Sequence, residues 1–301
     1  MAQRGSGRYF AGKRCLVTGA AGGIGRATAL RLAAQGAELY LTDRNPDGLQ
    51  LSVADARALG AQVPAHRVLD IAEYDDVAAF AADIHANHPS MDVVMNIAGV
   101  AAWGTVDRLS HEQWSKMVAI NLMGPIHVIE TFVPPMVAAG RGGHVVNVSS
   151  AAGLVALPWH AAYSASKYGL RGLSEVLRFD LASHRIGVSV VVPGAVKTGL
   201  VDTIEIAGVD REDPRVARWV DHFGGHAVSP EKAAEKILAG VAKNRYLIYT
   251  SQDIRALYAF KRLAWWPYSV AMRQVNVIFT RVLRPSPAPL AGHGQLEPNP
   301  E

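Results

Sequence analysis

The feature that most constrains this chain is a rhythm. Through the first ~250 residues, short apolar runs alternate with amphipathic segments of helical length. The strand-like runs are Arg14–Thr18, Glu38–Thr42, Ala65–Leu69, Asp92–Asn96, Gly143–Ser149, Gly187–Val192 and Tyr246–Tyr249. Between them lie helix-like segments at Ile24–Gln35, Pro46–Leu59, Tyr74–Asn87, His111–Ala139, Tyr163–Ser183 and Pro230–Lys243. A helix between each pair of strands forces crossover connections, so the strands run parallel. Runs that are apolar throughout need cover on both faces. The alternation therefore predicts an α/β fold, a doubly wound parallel sheet of about seven strands with helices on both faces.

Two stretches break the rhythm. Thr198–Val228 is long and has no clear strand, which fits a mobile segment over a substrate. Ile254–Leu283 is aromatic, apolar and basic, and Pro267 is expected to kink or divide any helix there. These breaks define the expected organisation. Residues 1–10 are a flexible N-terminus, and 11–250 form a catalytic domain that includes the 198–228 loop. Residues 251–284 make a C-terminal helical extension, and 285–301 are a Pro- and Gly-rich disordered tail.

Charge and cysteine content narrow the function classes. The chain has 30 Lys and Arg against 26 Asp and Glu. Arg255, Lys261, Arg262, Arg273, Arg281 and Arg284 cluster in the C-terminal segment with no acid between them. Without those six, 24 basic residues face 26 acidic ones, so the main body carries no broad nucleic-acid-binding face. The single cysteine, Cys15, excludes an intramolecular disulfide and reads as a buried structural thiol. Met1 to Lys13 is polar and basic, without the apolar core of a secretory leader, and no membrane span is expected. The expected location is cytoplasmic, with contact at a membrane surface as an added role for 254–283.

Thr18-Gly19-Ala20-Ala21-Gly22-Gly23-Ile24-Gly25 follows the first strand and opens the first helix. Glycines allow a tight turn and close approach of a pyrophosphate. The helix N-terminus then offers free N–H groups and the positive end of its dipole. Strand, glycine turn and helix in that order are the context of a dinucleotide-binding Rossmann unit. Asp43 ends the second strand, 18 residues after Gly25, near the spacing at which an acid holds the adenosine ribose. A carboxylate there would repel a 2′-phosphate and favours NAD. The adjacent Arg44 could hold that phosphate and leaves NADP open.

These motifs resemble the short-chain dehydrogenase/reductase family over roughly residues 11–250. The turn matches Thr-Gly-x-x-x-Gly-x-Gly at Thr18, Gly19, Gly23 and Gly25, with Ile24 inside it. Asn96-Ile97-Ala98-Gly99 resembles the family's Asn-Asn-Ala-Gly, with Ile97 in place of the second Asn. Asp70-Ile71 resembles the pair beside the adenine. Tyr163-Ser164-Ala165-Ser166-Lys167 matches Tyr-x-x-x-Lys, Ser150 lies 13 residues earlier, and Asn121 falls in the long helix before the fifth strand. Pro193-Gly194 follows the sixth strand, with Val196 and Thr198 beyond it, and Thr198 matches a carboxamide contact. The resemblance implies that Asn121, Ser150, Tyr163 and Lys167 are catalytic. Thr18, Gly19, Gly23, Ile24, Gly25, Asp43, Arg44, Asp70, Ile71, Asn96, Ala98, Gly99, Tyr163, Lys167, Pro193, Gly194, Val196 and Thr198 would bind the cofactor. By the same resemblance Lys167 holds the nicotinamide ribose, Asn121 positions a water, and the chain forms homodimers or homotetramers.

The residue types support that chemistry in their own right. Tyr163 and Lys167 are spaced i,i+4, on one helix face. A nearby ammonium is expected to favour phenolate and lower the tyrosine pKa, so that Tyr163 can exchange the alcohol proton. Ser150 would hydrogen-bond the substrate oxygen. Trp103, Leu157 and Trp159, with Ser150 and Tyr163, suggest an apolar pocket for a lipophilic secondary alcohol, ketone or aldehyde. Equally, these side chains could pack the core. His160 reads as a lone surface histidine, with a substrate contact as the alternative, and no metal-ligand cluster stands out. The rival class is a non-catalytic dinucleotide sensor or scaffold. The 254–283 segment reads as a lid, a subunit contact or a membrane-surface helix.

Overall fold

The computed structural model describes residues 9–198, 204–209, 213–214, 216 and 227–283. Of the expected flexible N-terminus over 1–10, residues 1–8 lie outside the described residues, while Phe10 is buried in the core. Arg284, the expected tail over 285–301 and part of the 198–228 loop also lie outside them.

The first half of the chain forms β1 (Arg14–Thr18), α1 (Gly23–Ala33), β2 (Glu38–Asp43), α2 (Pro46–Ala58), β3 (Ala65–Val68), α3 (Tyr74–Asn87) and β4 (Val93–Asn96). It continues through a two-residue strand β5 (Ala102–Trp103), α4 (His111–Val118) and α5 (Gly124–Ala139). Then follow β6 (Gly143–Val148), α6 (Ala161–Asp180), β7 (Ile186–Val192), a second short strand β8 (Glu205–Ile206), α7 (Pro230–Ala242) and β9 (Leu247–Tyr249). Two further helices, α8 (Gln252–Leu263) and α9 (Trp265–Val282), close the described chain.

Seven strands form one parallel sheet in the order β3-β2-β1-β4-β6-β7-β9. The period of two divides each inner strand between two cores. Cys15 and Val17 of β1, Leu39 and Leu41 of β2, and Val93 and Met95 of β4 point to one face. They pack there with Leu32 of α1, Val53 of α2 and Ile237 of α7. Leu16, Tyr40 and Val94 point to the other, against Phe80 of α3 and Phe132 of α5. Cys15 is fully buried, and its burial raises the thiol pKa well above the usual range, as an inert structural thiol requires. The strand order reverses between β1 and β4, so their carboxyl ends open a crevice at the switch point.

Local signals set several helix ends. Asn45 accepts a hydrogen bond from Gly48 N with Pro46 beginning α2, and Ser229 accepts from Lys232 N with Pro230 beginning α7. Ser110 and Gln113 form a reciprocal capping box on α4. The His111–Ala139 segment is long and apolar enough to cross a membrane by composition. Its Phe132, Val133 and Met136 instead lie in the second core. The sequence reading treats this segment as one helix, but a π turn at Ala119–Met123 separates α4 from α5.

The 198–228 loop, read as lacking a strand, contains β8, which pairs in parallel with β5 through Ala102↔Glu205 and Trp103↔Ile206. Glu205 also takes an ion pair from Lys116 Nζ at 2.7 Å and a hydrogen bond from Gln113 Nε2 at 3.3 Å. Helix α8 ends at Ala264, three residues ahead of the expected break at Pro267. Pro267 sits in the first turn of α9, where a missing N–H costs nothing.

Candidate active site

The phosphate turn is built so that only glycine fits at its tight points. Gly19 has φ +71°, and a Cβ there would lie 2.8 Å from Ala98 N and Cα. A Cβ on Gly25 would fall 1.9 Å from Gly19 O. Gly23, at φ +50°, faces Thr198, whose Cγ2 would stand 3.0 Å from an added Cβ. Helix α1 begins at an N-cap glycine, Gly22, with no side chain closing its first turn. Those N–H groups are left for an anion. Thr18 Oγ1 accepts from Ile97 N at 3.0 Å and Ala98 N at 3.1 Å, which clamps the 96–99 turn onto the glycine turn.

Asp43 stands at the far end of β2 beside this turn. Its Oδ2 accepts from Ala21 N and its Oδ1 from Asn45 N, both at 2.9 Å. Arg44 is exposed. Asp70 Oδ1 accepts from Ala72 N at 2.9 Å, and Ile71 is buried against Gly124, whose added Cβ would meet Ile71 Cδ1 at 2.6 Å. Pro193 O accepts from Ala151 N at 2.8 Å, Gly194 N donates to Thr250 Oγ1 at 3.3 Å, and Val196 bridges to Val228. The glycine cradle, the uncapped helix start and the acid at the end of β2 together fit a dinucleotide.

Four polar groups meet at the carboxyl end of β4 and β6. The π turn carries Asn121, fully buried, whose Oδ1 accepts from Val100 N and whose Nδ2 donates to Val100 O, both at 2.9 Å. Lys167 is buried and donates to Val148 O at 3.0 Å, with its Nζ 5.8 Å from the Tyr163 ring centroid. A Cβ on Gly99 would lie 2.9 Å from Asn121 Oδ1 and 3.2 Å from Lys167 Nζ, so this glycine leaves room for both. Ser150 Oγ accepts from Ala152 N at 3.1 Å and hydrogen-bonds with Tyr163.

The electrostatics differ from the expectation of a tyrosine pKa lowered by its lysine. Burial raises Tyr163 above the usual phenol value, and the hydrogen bond with Ser150 only partly offsets this. Burial also lowers Lys167 to about 8. Desolvation by the surrounding protein is the leading cause of both shifts.

Asn147 lies at the site although it belongs to no motif. Asn96 Nδ2 donates to Asn147 Oδ1, and Asn147 Nδ2 donates to Ser174 Oγ, each at 2.9 Å. This chain ties β4, β6 and α6 together under the site. The signal available was a lone Asn inside the apolar β6 run, because buried polar groups need partners. His160 is 5% exposed, which corrects its reading as a surface histidine. Its Nδ1 lies 2.6 Å from Pro158 O, its ring 4.5 Å from Trp103, and burial lowers its pKa to about 4. Trp103 and Trp159 are buried and pack with Tyr163, Leu157, Phe279 and Leu283 in one apolar cluster. Trp159 adopts φ +66°, a strained value for a bulky residue, and its O accepts from Gly104 N at 2.7 Å. Among the described residues no group of three or more metal-ligating side chains occurs.

Comparison with known proteins agrees with this geometry. The short chain dehydrogenase family model matches residues 13–207. SadH of Mycobacterium tuberculosis, named as an oxidoreductase, is 37% identical over 258 residues, covering 84% of this chain and 91% of that protein. A short-chain dehydrogenase/reductase from Burkholderia phymatum, solved with NAD, superimposes with a TM-score of 0.77 at 28% identity, covering 84% of this chain and 94% of that one. A metagenomic short-chain oxidoreductase solved with NADP gives a TM-score of 0.64 at 31% identity over 80% of this chain and 96% of that one. The chain belongs to the short-chain dehydrogenase/reductase family. Within it, the protein is an NAD(P)-dependent oxidoreductase.

Proposed function

We propose that the protein interconverts a secondary alcohol and a ketone, or an alcohol and an aldehyde, on a lipophilic substrate, with NAD preferred. The observation that carries this reading is the convergence of Ser150, Tyr163, Lys167 and Asn121 beside the glycine turn. The dinucleotide, when bound, supplies the hydride acceptor or donor. Thr18, Gly19, Gly23, Ile24, Gly25, Asp43, Asp70, Ile71, Asn96, Ala98, Gly99, Pro193, Gly194, Val196 and Thr198 would hold it. The carboxylate of Asp43 would accept from ribose hydroxyls and repel a 2′-phosphate.

The chain's own residues handle the proton. Tyr163 gives its phenolic proton to a ketone oxygen or takes one from an alcohol. Ser150 donates to the same oxygen as charge grows on it. The ammonium of Lys167 stabilises the phenolate left on Tyr163, and its bond to Val148 O leaves two donors for other partners. Asn121 is locked to Val100, which fixes the strand end where Lys167 and Gly99 meet. Trp103, Leu157 and Trp159 provide the apolar surroundings that favour a lipophilic substrate. The reading includes homodimers or homotetramers, supported by exposed Val176 and Phe179 on α6 and Val118 and Met123 beside the π turn.

Paired fluorescence titrations with NADH and NADPH, then turnover of lipophilic alcohols and ketones, test the reading. Tyr163→Phe should lower turnover on the order of 10²–10⁴-fold and leave cofactor binding intact. Tighter NADPH than NADH would sink the role given to Asp43. Binding without turnover of any alcohol or ketone would point to a sensor.

A further inference from the structure

The two C-terminal helices carry an outer face that the catalytic site does not use. At their corner, Leu263, Trp265 and Trp266 are 87%, 63% and 76% exposed. Along α9, Trp266, Val270, Arg273, Val277 and Arg281 are all exposed. Their positions recur at helical spacing and form one stripe. Tyr268, Met272, Phe279 and Val282 occupy the opposite stripe and pack on the protein. Helix α9 is therefore apolar on two sides, one covered and one bare.

Beyond Asp253 in the first turn of α8, the charge along the two helices has a single sign. From Ile254 to Leu283 there are five basic residues and no acid. Lys261 is used internally, donating to Leu154 O at 2.8 Å and Tyr168 Oη at 2.7 Å. Arg255, Arg262, Arg273 and Arg281 are exposed. Among the described residues none of these four forms an ion pair.

We propose that this face docks on an anionic lipid bilayer. Indole rings are stable at the boundary between headgroups and acyl chains, and the guanidinium groups reach lipid phosphates from the same stripe. A second copy of this chain fits the face poorly. A twofold contact would set the patch against itself, arginine facing arginine with only Asp253, at the opposite end of α8 from the Trp265–Trp266 corner, to balance them. An anionic bilayer satisfies the apolar and the cationic requirement together. The inner side of α9 reaches the site, because Tyr268 Oη accepts from Ala156 N at 2.8 Å and the Phe279 ring lies 6.4 Å from His160. If the proposed lipophilic substrate is right, docking brings its entrance close to where such molecules partition. The docking itself is independent of that chemistry.

Flotation of the full chain with vesicles tests the proposal. It should co-float with an equal mixture of phosphatidylcholine and phosphatidylglycerol, stay behind with phosphatidylcholine alone, and release as salt is raised. The combined variant Leu263→Ser, Trp265→Ser, Trp266→Ser should lose flotation while keeping its melting temperature and NADH affinity. Arg273→Gln should weaken vesicle binding about fivefold. Three results would overturn the idea: no flotation with the anionic mixture, equal flotation with neutral vesicles, or a combined variant that floats like wild type. A combined variant that instead breaks an oligomer into smaller species would assign the face to a second copy and would overturn it too.

Discussion

At the scale of single residues, Gly99 is the position outside the phosphate turn where an added side chain would meet two of the four polar groups of the site. The two atoms nearest a Cβ there belong to Asn121 and Lys167, and both side chains are buried and bonded. Gly99→Ala must push one of them aside. Turnover is expected to fall on the order of 10²-fold with little loss of melting temperature, as steady-state kinetics and thermal denaturation would show. A variant losing stability and activity in proportion would refute a local clash. Sequence made the Tyr163–Lys167 pair readable because i,i+4 spacing alone puts the two on one face. It did not show that burial would dominate both titrations, since desolvation depends on neighbours far away in the chain. His160 was opaque for the same reason. Its surroundings come from β5, the 157–159 loop and α9, which are distant in sequence.

At the scale of elements, the inner strands β1, β2, β4, β6 and β7 were legible because each is almost wholly buried and shows its apolar run, whereas the partly exposed edge strands β3 and β9 were legible only from their place in the alternation. The paired strands β5 and β8 have two residues each, too few for any period to appear. The π turn that seats Asn121 changes the backbone without changing the apolar pattern, so it escaped as well. Ala264 ends α8 by its backbone conformation, whereas Pro267 is compatible with a helix start. The α9 contact to the 154–160 loop includes two hydrogen bonds at Tyr268 Oη, which accepts from Ala156 N at 2.8 Å and donates to Ala156 O at 3.4 Å. Tyr268→Phe leaves that amide without its partner and should cost about 1 kcal/mol. Urea denaturation would measure it, and an unchanged midpoint would mean that water replaces the hydroxyl.

At the scale of the whole molecule, the pH dependence of stability follows from two buried histidines. Burial lowers His144 and His160 to about 4 from an ordinary value of 6.5. Between those values the unfolded chain binds a proton at each site and the folded chain does not. Their contribution is therefore fully present above pH 6.5 and is lost as pH falls through about 4, up to about 3 kcal/mol for each histidine. Thermal melts across that window should show the decline, and His144→Asn should flatten it; an unflattened curve would assign the decline to other groups. The cofactor half and the substrate half of the site also differ in where they come from along the chain. The phosphate turn is complete once β1, α1 and β4 exist, but Leu283, which follows α9, is fully buried in the cluster around Tyr163. Tyr163, the proposed proton donor and acceptor, thus acquires its full surroundings only when α9 has left the ribosome. A nascent chain that has reached residue 250 should already hold a dinucleotide yet turn nothing over, so that chemistry waits for the synthesis of α9.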